Sequence, residues 1–596
     1  MPKYSVYNPS IDIILNWYKS KEIAIPEIQR PFVWDSAKVR NLLDSLYNGY
    51  PIGYLTIWKN SNVRLRNGEI SEGKKILIDG QQRVISLITS ILAKEIVTKD
   101  YKKVRITISF NPQTEKFEVW NPAIKNNPEW VQDIGPIITR EKRSSLIIRD
   151  YCEKNQSADR EKIEDALDNL KDMIKRQIGV IELKHDLDIE TVTEIFIRIN
   201  SEGVPLNQAD FAMSKIASNE TYNGPILRKC IDYFCHLVKR PEFFNSIKER
   251  DEEFSETEFF QKILWLKDEN QDLYQPNYSD LLRVVFTSEF DRGKLADLVS
   301  LLSGRNFETR KYEESIARSS FDKLKQGILN FINETNFKRF LMIIKSAGFI
   351  SSNLIRSRNV LNFAYILYLK LRSQEYNPAE IEKYVRKWFV LSILTKRYSG
   401  SPESQFDFDI KNISSKKFKE FLGEIESAQL SDAYWNSSLI QSLKTSVASS
   451  PYFNVFLAAQ VKSNDKGFLS RDITVKDLIL QRGDIHHIFP RDYLKSKGLK
   501  QGDYNQIANY VYTQTETNIR IGNKSPKEYM SDVFRQCNGG ELKYGGITDA
   551  SILLKNLKEN CVPMDLKDMN ADQYDKFLEE RKVLMARKIK DYYHSL

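Results

Sequence analysis

Two histidines stand side by side, His486 and His487, in the run Gly-Asp-Ile-His-His-Ile-Phe-Pro at 483–490, and the 596-residue chain holds only five histidines. Imidazole changes charge near neutral pH and binds divalent metals, so one ring can hold an ion while its neighbour takes a proton from water. That division of labour is the chemistry of a nuclease site. Adjacent strand residues point to opposite faces, so a strict strand would separate the rings, and a bend before Pro490 could bring both to bear on one phosphate.

A ββα clip needs a strand bearing the histidines, a loop, a second strand with an asparagine that braces the loop, and a helix that returns another metal ligand. The stretch Asn505-Gln-Ile-Ala-Asn-Tyr-Val-Tyr-Thr-Gln-Thr-Glu-Thr-Asn518 fits the second half. Its β-forming residues Tyr510 to Thr513 precede a turn and a polar segment, and Asn509 and Asn518 fall where brace and ligand belong. Over about 483–530 the sequence resembles the HNH (His-Me finger) endonuclease domain, in its His-Asn-Asn variant, found at the C-terminus of GmrSD-type restriction enzymes. The resemblance implies that His487 is the general base, that His486 and Asn518 hold one divalent ion, Mg²⁺ or another, and that Asn509 braces without doing chemistry. Asp484 is either a further ligand or a carboxylate that orients an imidazole, and the choice between Asp484 and His486 as direct ligand stays open. An amide oxygen binds metal more weakly than imidazole, so Asn518 implies modest affinity. The competing reading is a pair of strand histidines satisfied by packing and water.

A second constellation lies near the N-terminus. Lys75-Ile-Leu-Ile-Asp-Gly-Gln-Gln-Arg-Val-Ile-Ser-Leu87 reads as strand, tight turn at Gly80, then helix. Free amides at a helix N-terminus and the Arg83 guanidinium suit an anion such as phosphate, and Gln81 and Gln82 add neutral donors and acceptors. Two further segments accompany it, Ile25-Pro-Glu-Ile-Gln-Arg-Pro-Phe-Val-Trp34 and Glu194-Ile-Phe-Ile-Arg-Ile-Asn-Ser-Glu-Gly203. Together the three resemble the ParB-like family with an Asp-Gly-Gln-Gln-Arg signature, the N-terminal partner of the HNH domain in GmrSD-type enzymes. The resemblance implies binding or hydrolysis of an NTP, GTP or ATP, coupled to recognition of modified DNA and control of the nuclease. Asp79 would then serve metal or water, Gln82 and Arg83 would contact phosphate, and Gln29 and Arg30 would complete the pocket. In structural terms alone, Asp79 caps a helix, Arg83 makes a salt bridge, and Phe32 and Trp34 fill the core. Arg198 and Asn200, before a Gly203-Val-Pro205 turn, divide evenly between the two readings. The sequence holds no Gly-x-x-x-x-Gly-Lys-Ser/Thr, so an NTP site here is not a P-loop.

The elements that must position these residues read as three parts of an α+β, multidomain chain. The length exceeds what one core organises, giving roughly two to four domains. We delimit a ParB-like α/β domain at 1–218, a helical domain at 219–465 and a ββα-metal (HNH) domain at 466–596. In the first, Tyr54–Trp58, Lys75–Asp79 and Val104–Phe110 read as strands. A helix starting at the N-cap Asp35 places Val39, Leu42, Leu43, Leu46 and Tyr47 on one face until Gly49. From about 220 to 450 amphipathic helices dominate, as in Phe337–Lys345 and Val360–Lys370. Lys396–Ser404 interrupts them as a surface loop, a hinge or a ligand-facing loop. In the tail from Ala571 to Tyr593, Tyr574, Phe577, Leu578, Met585 and Ile589 form an apolar stripe. Arg581, Lys582, Arg587, Lys588 and Lys590 supply charge for a solvated face or a DNA contact.

Composition sets the context. Hydrophobic content of 41% supports packed cores, and 89 Lys plus Arg against 80 Asp plus Glu is a mild excess compatible with a polyanion. Five scattered cysteines form no disulfide framework, which fits a reducing cytoplasm, and Cys230 and Cys235 read as buried structural thiols. The N-terminus lacks a signal-peptide core and no membrane span is expected. The expected activity is a bacterial or archaeal phage-defence endonuclease cutting foreign, modified DNA, with NTP as regulator. A homodimer is one way to supply two cuts. The alternatives are a nucleotide-responsive DNA-binding protein with an inactive clip, and a nuclease for RNA or single strands.

Overall fold

The computed structural model describes residues 3–24, 34–59, 74–97, 103–187, 191–192, 195, 198, 208–217, 219–269, 272–481, 483 and 485–596. They form two compact units: residues 1–230 with 249–254 and 302–318, and residues 231–248 with 255–301 and 319–596.

The first unit is built on a mixed five-stranded sheet. Strands β1 (Tyr4–Tyr7), β2 (Ile23–Ala24), β3 (Leu55–Lys59) and β4 (Lys75–Asp79) are joined by β9 (Val180–Leu183) in the order β1-β9-β3-β4-β2. β3 runs antiparallel to β4 and parallel to β9. Its residues Leu55 to Trp58 are all buried, as a strand covered on both faces requires. Helices α1 (Ile11–Lys19), α2 (Ser36–Tyr47) and α3 (Gln81–Ile91) pack apolar faces into one core with Leu55, Ile57, Leu77 and Val180. α2 follows the sequence closely: Asp35 accepts a capping bond from the Lys38 N–H, and the buried face is Val39, Leu42, Leu43, Leu46 and Tyr47. The single strand expected over Val104–Phe110 is instead broken. Lys103–Val104 (β6) pairs with Ile96–Val97 (β5), while Ile108–Asn111 (β7) forms a hairpin with Lys116–Val119 (β8).

The second unit is largely helical and ends in a small ββα segment with its own core, from Phe468 to Phe577. Its helices include Glu334–Ser346 and Arg358–Ser373, which extend both amphipathic patterns read from sequence. A buried polar chain joins the second of these to the Tyr278–Phe290 helix: Tyr274 donates to the Asn362 carbonyl oxygen at 2.8 Å, and the Asn362 amide donates to Asp280 at 2.8 Å. The Lys396–Ser404 loop is anchored. The Arg397 side chain is 3% exposed and pairs with the fully buried Asp409, which also accepts from the buried Tyr398 hydroxyl at 2.8 Å. Lys396, Ser399, Gly400, Ser401 and Ser404 are exposed, so the segment is a surface loop pinned at Arg397 and Tyr398.

The tail reading is corrected in part. Tyr574, Phe577, Met585 and Ile589 are buried on the Tyr574–His594 helix, but so are Arg581, at 0% exposure, and Lys582. Neither belongs to a solvated or DNA-facing surface. Lys588 is half-buried against the buried Asp465, leaving Arg587 as the exposed cation among those named. Cys230, Cys235 and Cys561 are buried, whereas Cys152 and Cys537 are half-buried. No helix among the described residues is long and apolar enough to cross a membrane.

Candidate functional site

The two histidines lie on a three-residue strand, β10 (Ile485–His487), paired antiparallel with β11 (Tyr510–Tyr512). The register is regular, His486 opposite Val511 and His487 opposite Tyr510. Successive side chains therefore leave opposite faces: His486 is buried and His487 half-buried. The chain bends at Ile488 and Phe489, after the pair and before Pro490, so the bend expected to bring both rings together does not fall between them: both histidines are held in the strand ladder, which sends them to opposite faces. The Thr515–Ile521 helix follows β11 and carries a half-buried Asn518, completing a strand, strand, helix order.

Asn509 is fully buried and ties the connection between the strands. Its Oδ1 accepts from the Phe489 N–H at 2.8 Å, and its amide donates to the Phe489 carbonyl at 3.0 Å and the Tyr504 carbonyl at 3.2 Å. One side chain thus clamps the end of the histidine strand to the end of the returning loop. Helix residues reinforce the clamp from behind. Arg581 donates to the Ala508 carbonyl at 2.7 Å, Tyr574 to the Tyr504 carbonyl at 3.2 Å, and Tyr529 to the Ile488 carbonyl at 2.9 Å.

The His487 ring sits edge-on to Tyr510, with centroids 5.1 Å apart at 83°, and its Nε2 lies 2.9 Å from Asn505 Oδ1. Burial pushes its pKa below the ordinary histidine value. The Asn505 bond opposes that shift and the positive charge of Arg491 adds to it. The ring is therefore neutral near pH 7, the form able to take up a proton. Asn505 was not singled out by sequence reasoning: its type and place in a polar loop resemble those of its neighbours, and only the return of the loop brings it to His487. Asp484 lies outside the described residues. Among the described residues, no three His, Cys, Asp or Glu side chains converge as a metal cluster.

In the first unit, β4 ends at Asp79, Gly80 turns the chain at φ +92°, and α3 begins at Gln81 without a side-chain cap. A Cβ on Gly80 would lie 2.2 Å from Leu55 Cδ2, so a glycine is required by both dihedral and space. Gly80 itself has no side chain to accept from the first N–H groups of α3. Arg83 reaches back across the turn, pairing with Asp79 at 3.0 Å and donating to the Ile52 carbonyl at 2.9 Å. Gly53 gives the guanidinium room, since a Cβ there would lie 2.3 Å from Arg83 Nη1. Gln81 and Gln82 are both buried, and Gln82 accepts from the Trp34 N–H at 3.2 Å. Trp34 packs against the core. The structure thus brings Asp79, Gly80, Gln81, Gln82 and Arg83 into one turn. Gln29, Arg30, Phe32, Asn200 and Gly203 lie outside the described residues, and Arg198 is exposed.

Residues 13–217 match the N-terminal domain of the GmrSD restriction endonucleases, which supports a GmrSD-type family. The chain is also 22% identical to an uncharacterized protein of Methanocaldococcus jannaschii, over 97% of each chain.

Proposed function

We propose that this chain is a phage-defence DNA endonuclease that cuts foreign, modified DNA at the β10–β11 histidine clip, regulated by NTP at the Asp79–Arg83 turn. The observation that carries the reading is the His487 ring, desolvated to its neutral form and held at one nitrogen on a strand end clamped by Asn509. The family match of the N-terminal domain supports DNA as the substrate. In this reading residues 1–218 regulate, 219–465 connect and sense, and 466–596 cut, in the cytoplasm and with a homodimer supplying two cuts.

His487 accepts the proton of the water that attacks the phosphodiester. His486 and Asn518, with Asp484, would hold a divalent ion. The Asn518 amide oxygen is a donor that would suit Mg²⁺, whereas an imidazole suits softer divalent ions, so the set would hold Mg²⁺ weakly. When bound, the ion supplies charge that neutralises the leaving oxygen. Asn509 keeps the histidine strand and the loop in register. At the N-terminal turn, the start of a helix entered through a glycine fits an anion, and Arg83 pairs with Asp79 beside it.

The test is cleavage of phage DNA and unmodified plasmid by wild type and His487→Ala, with and without Mg²⁺ and NTP. The variant is expected to lose about a thousandfold in rate while still binding DNA, and chelation is expected to stop the wild type. Full cleavage by His487→Ala overturns the assignment. DNA binding without cleavage under any condition favours the binding protein with an inactive clip, and cleavage confined to RNA or single strands redirects the substrate.

A further inference from the structure

We propose that Asn505 is a positioning residue that fixes the tautomer of His487, so that Nδ1 is the atom that accepts the proton. The inference rests on the hydrolytic reading of the clip and names an atom and a residue within it.

The Asn505 contact is a side-chain bond of 2.9 Å from Oδ1 to Nε2 of the ring. An amide oxygen can only accept, so the ring must donate: Nε2 carries the hydrogen and Nδ1 the lone pair. The rest of the loop holds that oxygen in place. The Asn505 N–H donates to the Gln501 carbonyl at 3.2 Å, and the preceding Tyr504 carbonyl receives the Asn509 amide and the Tyr574 hydroxyl, each at 3.2 Å. Asn509 also holds Phe489, two residues beyond His487. A single buried side chain therefore fixes donor strand and acceptor loop relative to one another, and Tyr510 limits rotation of the ring between them.

The step balances simply. Water attacks phosphorus and its proton passes to Nδ1, turning a neutral ring into imidazolium while the leaving oxygen departs with the bonding pair. The Nε2–H bond to Asn505 strengthens as that charge develops, because a charge-assisted bond is about twice as strong as a neutral one. Stabilisation that grows towards the transition state acts on kcat and leaves KM unchanged.

The experiment uses the full-length protein with ring-¹⁵N histidine, long-range ¹H–¹⁵N correlation spectra, and His487→Ala to assign the signal. Wild type is expected to show the neutral Nε2–H form at His487. Asn505→Asp, which keeps an oxygen acceptor, is expected to retain it, and Asn505→Ala to show a mixture of tautomers. In the cleavage assay Asn505→Ala is expected to lose about tenfold to a hundredfold in kcat with KM unchanged. A dominant Nδ1–H form in wild type, or a wild-type tautomer in Asn505→Ala, overturns the assignment, and the wild-type spectrum decides even where a variant fails to fold. A wild type with the Nε2–H form that cleaves nothing fails differently: it removes the hydrolytic reading, and Asn505 then has no reaction to serve.

Discussion

Asn509 is the residue on which the geometry of the clip depends most directly, and the effect of removing it can be worked from its bonds. Asn509→Ala deletes three hydrogen bonds, but they are not equivalent. The Tyr504 carbonyl keeps the Gln506 N–H and the Tyr574 hydroxyl as donors, so it remains satisfied. Phe489 is fully buried, and its N–H and carbonyl both lose the Asn509 side chain. Two buried polar groups stranded at about 2 kcal/mol each amount to about 4 kcal/mol, or about three orders of magnitude in a local opening equilibrium. Hydrogen exchange of peptides spanning 485–512 measures that opening directly, and avoids treating a chain of two compact units as two-state. Asn509→Asp is the sharper companion. Its volume is unchanged and it still accepts from Phe489, but the amide that donated to two carbonyls becomes an oxygen facing them, so protection is expected to fall at least as far. Retention of wild-type protection in both variants would refute the reasoning, because the clamp would then be held by something other than these bonds.

The other expectations follow the same logic. Arg581→Met removes the bonds to the Ala508 and Asn560 carbonyls from a fully buried position, and is expected to destabilise the second unit by about 2–3 kcal/mol, read as a lower melting temperature. Unchanged melting would make the buried guanidinium incidental. Gly80→Ala forces a left-handed dihedral on a residue with a Cβ and a 2.2 Å contact with Leu55, so a loss of more than about 1–2 kcal/mol is expected, with exchange protection lost first in β4 and α3. Burial outweighs the attraction of Lys588 and pushes the Asp465 carboxyl up to about 6. A carboxyl raised on folding makes the native state the better proton binder, so its contribution to stability grows as pH falls and is lost as pH rises through about 6. Between pH 7 and pH 5, wild type should gain about 1 kcal/mol relative to Asp465→Asn in paired denaturation curves, and parallel curves would contradict this.

Local features were largely legible from the chain itself. The cap at Asp35, the five-residue apolar face of α2, and the strand, glycine turn and helix around Gly80 all arise from contacts within a few residues. There periodicity and turn chemistry act directly. Where side-chain type was used as a proxy for environment, the reading went astray. Arg581 and Lys582 were assigned to a charged surface, yet the Tyr574–His594 helix buries both, and Arg581 finds its partners in carbonyls 73 and 21 residues away in sequence. Val104–Phe110 has the composition of one strand, but pairing with two different partners divides it. Lys396–Ser404 is the surface loop its turn formers suggest, except that the Arg397 side chain turns inward, where Asp409, twelve residues on, supplies its countercharge.

The same boundary runs through the candidate site. Residue types and spacing along the chain determined that two histidines would share a short strand, that a second strand and a helix would follow, and that Asn509 would stand at the start of the return. Which histidine is buried, which nitrogen of His487 is engaged, and that Asn505 engages it were decided only by tertiary structure. A strand register, a desolvated ring and a hydrogen bond across an 18-residue separation are properties of the closed loop, and no local pattern in the open chain encodes them.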